Sequence, residues 1–338
     1  MRYLALLGAV LAAIGGWYLF WSHSADRFVA EANRVVAEQR AAGLDIAHGP
    51  LAVKGFPYRL SLEVPALNVH DRRDSQAWRL RGDVQINVQP WQPNHAIGRS
   101  ANLTLATWPR NGAEPAAAAP FAAQASLVAA NGIWDRIVVD ARQPRIALPD
   151  RAMGAERLRL GLRRTKGEDA DRPPGSIEVG VNGEGLSAPP GIIKAFDQPI
   201  AKLTTDLVVG GPWPAGTLRE KLAAWRDAGG VVQVLSLDLV WAQVTAKGSG
   251  TVTLDRQMRP LAALSAEMTG LDTVIDALVT DNRVRRSEGL TAKAALALVS
   301  QRGPDGKAVL KVPVSAQDGW LWTGPLRLTP VGPILPPE

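Results

Sequence analysis

The chain of 338 residues contains no cysteine, which removes disulfides, thiolate zinc sites, iron–sulfur clusters and a cysteine nucleophile in one step. The absence carries no information about compartment, since many exported proteins lack disulfides. Histidine is scarce as well. His23, His48, His70 and His95 do not recur at ligand spacings and form no His-x-x-x-His pair, so they read as surface or turn residues and no metal site is expected. There is no Gly-x-Ser-x-Gly elbow and no Walker lysine loop, and Ser187 between Leu186 and Ala188 has no context that would activate it. Gly248-Ser249-Gly250 follows one strand pattern and leads into another, whereas a dinucleotide fingerprint must open a helix so that its amide dipoles meet phosphate. It reads as a hairpin glycine pair. Glu63, Asp83, Asp238 and Asp255 fall on polar faces or at turns, the ordinary place for solvated acids. No catalytic residue and no cofactor is expected, and the chain does not read as an enzyme.

Lysine is sparse beside arginine, 9 against 29, and the net charge is +6 with a pI near 9.8. That balance suits anionic lipid, nucleic acid or lipopolysaccharide. The basic residues are spread out, however. The densest block, Arg157, Arg159, Arg163, Arg164 and Lys166, is diluted by Glu156, Glu168, Asp169 and Asp171, so it reads as a solvated face and no nucleic-acid partner is expected. An apolar fraction of 46% is what a packed core needs, in one large β domain or two smaller ones.

From Tyr3 to Trp21 no residue is charged. As a helix this stretch reaches ~28 Å, close to the hydrocarbon thickness of a bilayer. Tyr3 stands at one end and Trp17, Tyr18, Phe20 and Trp21 cluster at the other, the arrangement of rings that anchor at two headgroup layers. The rival is a cleaved signal peptide. Against it, the apolar run exceeds the ~7–15 residues of an h-region, ends in aromatics, and offers only Ser22-His23-Ser24 as a small-x-small site. Arg2 inside, against Asp26, Arg27 and Glu31 outside, sets the orientation. Residues 1–23 are read as the transmembrane anchor and 24–43 as an amphipathic helix, with Ser24 to cap its start and Gly43 to end it.

Beyond residue 43 the period changes to two. Trp78, Leu80, Val84, Ile86 and Val88 alternate with Arg79, Arg81, Gln85, Asn87 and Gln89; Leu60, Leu62 and Val64 alternate with Ser61 and Glu63. The pattern returns at 158–162, 177–181, 203–209, 235–241 and 251–255. Alternation of this kind predicts antiparallel sheet with one covered face. Helices are expected at Leu218–Trp225, through Leu271, Val274, Ile275 and Leu278, and at Thr291–Val299, placed to cover that face. Pro109 to Pro120 reads as a flexible insertion, and Pro189-Pro190-Gly191 as a soft boundary between a β-rich first half, 44–188, and a β-rich second half, 189–338. The eleven tryptophans read mainly as packing residues, with Trp78 and Trp241 in the core and Trp91, Trp108 and Trp213 capping loops at a sheet edge. The fold class is thus mainly β with some α: a transmembrane helix followed by a large curved antiparallel sheet with a few covering helices.

Gly55-Phe56-Pro57-Tyr58-Arg59 directly precedes a strand, and reads as a turn in which Gly55 is permissive, Phe56 packs inward, Pro57 fixes the path and Tyr58 starts the buried face. Further on stand Trp225-Arg226-Asp227-Ala228-Gly229-Gly230, Leu254-Asp255 followed by Arg259-Pro260, and Asp318-Gly319-Trp320 with Gly324-Pro325-Leu326. With the N-terminal anchor, these motifs resemble the bacterial family called domain of unknown function 2125 (DUF2125) over most of the chain. That family brings no catalytic residue or ligand. More distantly, the alternation with a glycine-rich terminal strand is similar to AsmA-type envelope proteins, which implies a role in lipid and outer-membrane homeostasis. The anchor and its flanking charges, with the envelope location that the resemblance implies, read as a single-pass protein of the bacterial inner membrane with its main domain in the periplasm. Its expected partners are the cytoplasmic membrane, through the helix, and phospholipid or another envelope lipid, or a lipidated partner, at the apolar sheet face. Envelope proteins bound at sheet edges are the alternative.

Overall fold

The computed structural model describes residues 2–335 apart from 72, 74–75, 166–174, 188–196, 212–215, 303–307 and 324–325. Strand outweighs helix, 52% against 25%, and the sheet is antiparallel as expected. The chain forms two units, Met1–Ala152 and Met153–Glu338.

The first unit opens with helix α1, Arg2–Ala41. It is one uninterrupted rod, not an anchor followed by a second helix. Ser24, expected to cap a new helix, instead donates its hydroxyl to the Phe20 carbonyl one turn back, at 2.8 Å. Nothing between Ser22 and Ala41 breaks the helix, for neither proline nor glycine occurs there. Gly43 does end it, at a φ of +94°, and the Leu44 N–H turns back to the Gln39 carbonyl at 3.1 Å. The N-terminal half of α1 has a mean hydropathy of 1.9 and exposes Leu4, Leu6, Leu7, Val10, Leu11, Ile14 and Leu19, so it is long and apolar enough to cross a membrane.

Two short strands follow, β1 (Asp45–Ala47) and β2 (Ala52–Lys54), then β3 (Leu60–Asp71), β4 (Gln76–Gln89), β5 (Gln92–Pro109), β6 (Phe121–Ala130), β7 (Ile133–Arg142) and β8 (Arg145–Ala147). β3 runs beside α1, and the segments that flank it are tied to the helix at both ends. At the lower end the indole N–H groups of Trp17 and Trp21 donate to the carbonyls of Pro57 and Arg59, each at 3.0 Å. At the upper end the Arg40 guanidinium holds the Ile46 carbonyl at 2.7 and 2.9 Å, and Arg73 holds the Ala42 carbonyl at 2.7 Å. The lengths agree: from Trp21 to Ala41 the helix rises ~30 Å, and a strand from Leu60 to Asp71 spans ~36 Å.

Register then places every second turn at the same end. Leu60 lies opposite Val88, Val88 opposite Ala96, Ala96 opposite Leu127 and Leu127 opposite Ile137. The 55–59 turn, the β4–β5 turn at Trp91 and the β6–β7 turn at Asn131-Gly132 therefore share the edge that meets the aromatic end of α1. Directly paired residues face the same side, so this row is apolar while its neighbour, Ser61, Asn87, Ile97, Ser126 and Val138, is mostly polar.

Trp108, expected to cap a loop, is 2% exposed and centres a small core with Ala77, Ala106 and Ala147. His70 stacks on its ring at 5.6 Å and is buried, not a surface residue. Arg79 donates to His70 Nδ1 at 3.0 Å; since a guanidinium only donates, that nitrogen accepts and the ring proton sits on Nε2. Pro109 to Pro120, expected to be flexible, is held to this core: Glu114 pairs with Arg79, and with Arg81 at 3.4 Å, while Ala118 packs on the cluster.

The second unit begins within β9 (Ala152–Gly154). It holds β10 (Arg157–Arg164), β11 (Ile177–Leu186), β12 (Ile200–Gly210), α2 (Leu218–Asp227), β13 (Val231–Trp241), β14 (Val244–Leu254) and β15 (Pro260–Thr269). After these come α3 (Leu271–Thr280), α4 (Arg286–Val299), β16 (Gln301–Arg302), β17 (Ala308–Gln317), β18 (Trp320–Thr323) and β19 (Leu326–Pro330). The division at Ala152/Met153 lies upstream of the boundary expected near 189. Across that break β11 and β12 are hydrogen-bonded neighbours, while Pro189, Pro190 and Gly191 themselves fall outside the described residues. The β13–β14 hairpin turns at Ala242-Gln243, where Ala242 has a φ of +55°, and not at Gly248-Ser249-Gly250. Those glycines lie inside β14, where a Cβ on Gly250 would meet the Ala263 carbonyl at 2.2 Å and one on Gly248 the Ser265 carbonyl at 2.9 Å.

Candidate functional site

The turn at 55–59 is built around the end of the apolar half of α1. Gly55 takes a φ of +105°, and a Cβ there would strike the Arg59 carbonyl at 2.8 Å, so the tight return needs glycine. The Phe56–Pro57 bond is cis. Phe56 packs edge-on against Tyr18 and Trp21, both at 5.7 Å, and stays 45% exposed. Tyr58 does not start the buried face as expected. It is 74% exposed, and the buried run starts with Leu60. Trp17 contacts Phe20 at 5.3 Å and Trp91 at 6.4 Å, joining the β4–β5 turn to the same ring cluster. The edge of the first sheet thus presents Phe56, Tyr58, Trp91 and Ile133, exposed apolar side chains on three successive turns, at the level where α1 changes from apolar to polar.

Directly above this edge, on the polar side, a cavity of about 240 Å³ is lined by Arg59, Asn87, Gln92, His95 and Arg99 among others. The register explains the gathering: Gln85 faces Arg99 and Asn87 faces Ile97 across one ladder, with His95 two residues before Ile97. His95 Nε2 is 3.0 Å from the Ser126 hydroxyl. Among the described residues neither Arg59 nor Arg99 has a side-chain hydrogen bond or ion pair. Of the nearest acids, Glu63 is taken by Lys54 at 2.8 Å. Asp83 accepts from the Ala66 N–H and from Asn102, both at 2.8 Å, and these bonds hold its carboxyl below the usual range. From the sequence Arg59 belongs to the turn motif, Asn87 to a polar strand face and His95 to the surface or turn histidines, while Gln92 and Arg99 carry no signal.

In the second unit, pairing aligns one apolar row across β10, β11, β12, β13, β14, β15 and β17. Leu158 lies opposite Gly183, Gly183 opposite Leu203, Leu203 opposite Leu239, Leu239 opposite Ala246, Ala246 opposite Met268 and Met268 opposite Leu310, with Leu160 opposite Val181 and Leu162 opposite Val179 on the same face. The reverse side is polar and ion-paired, with Arg163 on Glu178 at 2.6 Å and Lys311 on Glu267 at 2.8 Å. Leu158, Leu160, Leu162, Val179, Val181, Leu203, Leu237 and Leu239 are only half-buried. Helix α2 closes the face at one end, where Trp225 packs with Leu254 and Met258. The expected helices α3 and α4 do form, but they pack on each other with contacts to β14 and β17, and α4 leaves Leu290 and Leu298 at 65% and 86% exposed.

The Trp225–Gly230 motif is structural. The indole N–H donates to the Gly210 carbonyl at 2.6 Å, the Gly230 N–H returns to the Trp225 carbonyl at 2.8 Å, and Gly229 takes a φ of +75°. Asp255 organises the next turn, accepting from the N–H groups of Gln257 and Arg259 at 2.8 Å and from Arg259 Nε at 2.6 Å. Gly324 and Pro325 lie outside the described residues. Among the described residues no three His, Asp or Glu side chains come together to hold a metal ion.

No curated protein and no solved structure matches the chain. The likeness to AsmA-type proteins therefore gains no support from them. The family described as an uncharacterized protein conserved in bacteria (DUF2125) matches residues 21–332, which takes in all of the strands, helices α2 to α4, and both glycine-bearing turns. With its apolar N-terminal helix and antiparallel sheets, the chain belongs to the DUF2125 family.

Proposed function

We propose that this chain is a noncatalytic, single-pass protein of the bacterial inner membrane whose periplasmic sheet offers its apolar face to lipid or to a lipidated partner. The observation that carries the reading is the row of half-buried Leu and Val side chains on β10 to β13, backed by a polar, ion-paired reverse side. Water contact with such a row costs roughly 25 cal/mol for each Å² left uncovered, so a ligand that covers it gains that amount. Acyl chains match the chemistry, because they are apolar, narrow and present at the helix that anchors the chain.

The test uses full-length protein in lipid nanodiscs, with a photo-crosslinking amino acid at Leu237 on the apolar side or at Asp238 on the polar side. Lipid adducts at 237 and few at 238 are expected. Equal labelling at both positions would overturn the reading. A fusion reporter at the C-terminus tests the topology, and a cytoplasmic signal would remove the periplasmic assignment.

A second reading, a scaffold for protein partners, is favoured by one observation. Leu290 and Leu298 on α4 are 65% and 86% exposed, which supports α4, beside the sheet edges, as a place for a protein to dock. Crosslinking from position 298 in intact cells separates the two: a reproducible protein partner supports scaffolding, and its absence leaves the lipid reading alone.

A further inference from the structure

We propose that the cavity bounded by Arg59, His95 and Arg99 binds the phosphate of a glycerophospholipid headgroup. The inference rests on the membrane-side placement of the preceding reading, though not on the apolar face of the second unit.

Three observations converge. First, Arg59 and Arg99 line one hollow and, among the described residues, neither is matched by a carboxylate, while the nearby Glu63 and Asp83 are satisfied by Lys54, Ala66 and Asn102. A guanidinium presents a planar fork of N–H donors that suits two phosphate oxygens at once, and next to a low-dielectric surface the attraction is stronger than in water. Second, the hollow is fixed in height. The carbonyl of Arg59 is held by the Trp21 indole at 3.0 Å, and the β4–β5 turn beside Gln92 carries Trp91 against Trp17. Rings at the end of an apolar helix mark the headgroup layer, so the two cations sit where phosphates are. Third, the turns that supply Arg59 and Gln92 to the hollow also carry exposed rings, Tyr58 at 74% next to Arg59 and Trp91 at 58% next to Gln92. A free phosphate needs no such rings, whereas a lipid brings acyl and glycerol carbon to them. At about 240 Å³ the hollow is smaller than a pocket for a whole drug-sized ligand, roughly 300–1,000 Å³, and suits a headgroup whose chains stay outside.

The experiment places a photo-crosslinking amino acid at Gln92 in the full chain, reconstituted in nanodiscs of phosphatidylethanolamine and phosphatidylglycerol. The wild-type background and R59Q/R99Q are compared, each with and without inorganic phosphate. A lipid adduct at 92 that falls about tenfold in R59Q/R99Q, and is indifferent to inorganic phosphate, is the expected result. Both arginines are exposed and unpaired, so the double variant should keep the wild-type unfolding midpoint, which is checked alongside. No adduct in the wild type, an adduct that survives the double substitution, or one that inorganic phosphate removes would each overturn the proposal, the last by giving the hollow to free phosphate. The crosslinker at Leu237 keeps the two readings apart. Labelling at 92 without 237 sinks the apolar-face reading alone, and labelling at 237 without 92 sinks this one alone.

Discussion

The indole of Trp225 fills the space that any side chain at position 230 would need: a Cβ on Gly230 would meet its ring atoms at 2.3 to 2.4 Å. The ring is 3% exposed, so it has no free space to retreat into.

Gly230→Ala should therefore displace the ring or the start of β13, costing ~1–3 kcal/mol as overpacking. Trp225→Phe keeps most of the packing and loses the bond to the Gly210 carbonyl, at about 1 kcal/mol. Thermal unfolding of the detergent-solubilised full chain reads both. A Gly230→Ala midpoint equal to wild type would mean that α2 does not press on the sheet here.

Glycines inside strands should divide by what their backbone approaches. Gly250, at a φ of +153° with the Ala263 carbonyl in the way, should lose ~1–3 kcal/mol on substitution by alanine. Gly98 has nothing within 4 Å of its added Cβ, so the same change there should be neutral or stabilise by ~0.4–1 kcal/mol through the unfolded chain. Equal effects at the two positions would refute the close-approach explanation.

The Asp255 turn should make stability fall in acid. Burial pushes its carboxyl up, but the Arg259 N–H, the Arg259 guanidinium and the Gln257 N–H together hold it below the usual range. A group lowered on folding stabilises fully above its unfolded value, near 3.8, and that contribution is lost as pH falls through the folded value. Asp255→Asn should cost about 2 kcal/mol at neutral pH, where the carboxylate is lost as acceptor, and should flatten the acid limb of the unfolding profile. An unchanged acid limb in the variant would show that other carboxylates set it.

Trp21→Phe should loosen the foot of β3. Phenylalanine keeps a ring against Phe56 but cannot donate to the Arg59 carbonyl, a loss of about 1 kcal/mol. Faster amide exchange confined to the 55–60 segment is the expected signature, read by hydrogen–deuterium exchange in micelles. Exchange unchanged there would mean that Trp17 alone holds the turn.

Much of this architecture was legible because its causes are local. Period-two alternation located the strands around Leu60–Val64 and Trp78–Val88, and apolar spacing located α2, α3 and α4, since both patterns are properties of short segments. The misreadings share a different cause. Gly248 and Gly250 looked like turn residues, yet they are small because the β15 backbone passes close by, which only tertiary structure reveals. Trp108 beside Pro109 looked like a loop cap, and the stacking of His70 on it comes from a neighbouring strand. Arg59 had only the turn motif, and His95 and Arg99 belonged to no motif at all. They stand 36 and 40 residues apart from the first in sequence and meet only through strand register, while their polar neighbours Asn87 and Gln89 read as an ordinary wet face.

Because α1 is a single rod stitched at top and bottom to the segments flanking β3, it leaves no swivel between its apolar half and the first sheet. A helix that crosses a bilayer answers a thicker or thinner hydrocarbon layer by changing its tilt, and under the proposed anchoring the first sheet must lean with it. Lipid composition would thereby acquire a mechanical handle on how steeply the Tyr58 and Trp91 turns address the headgroups.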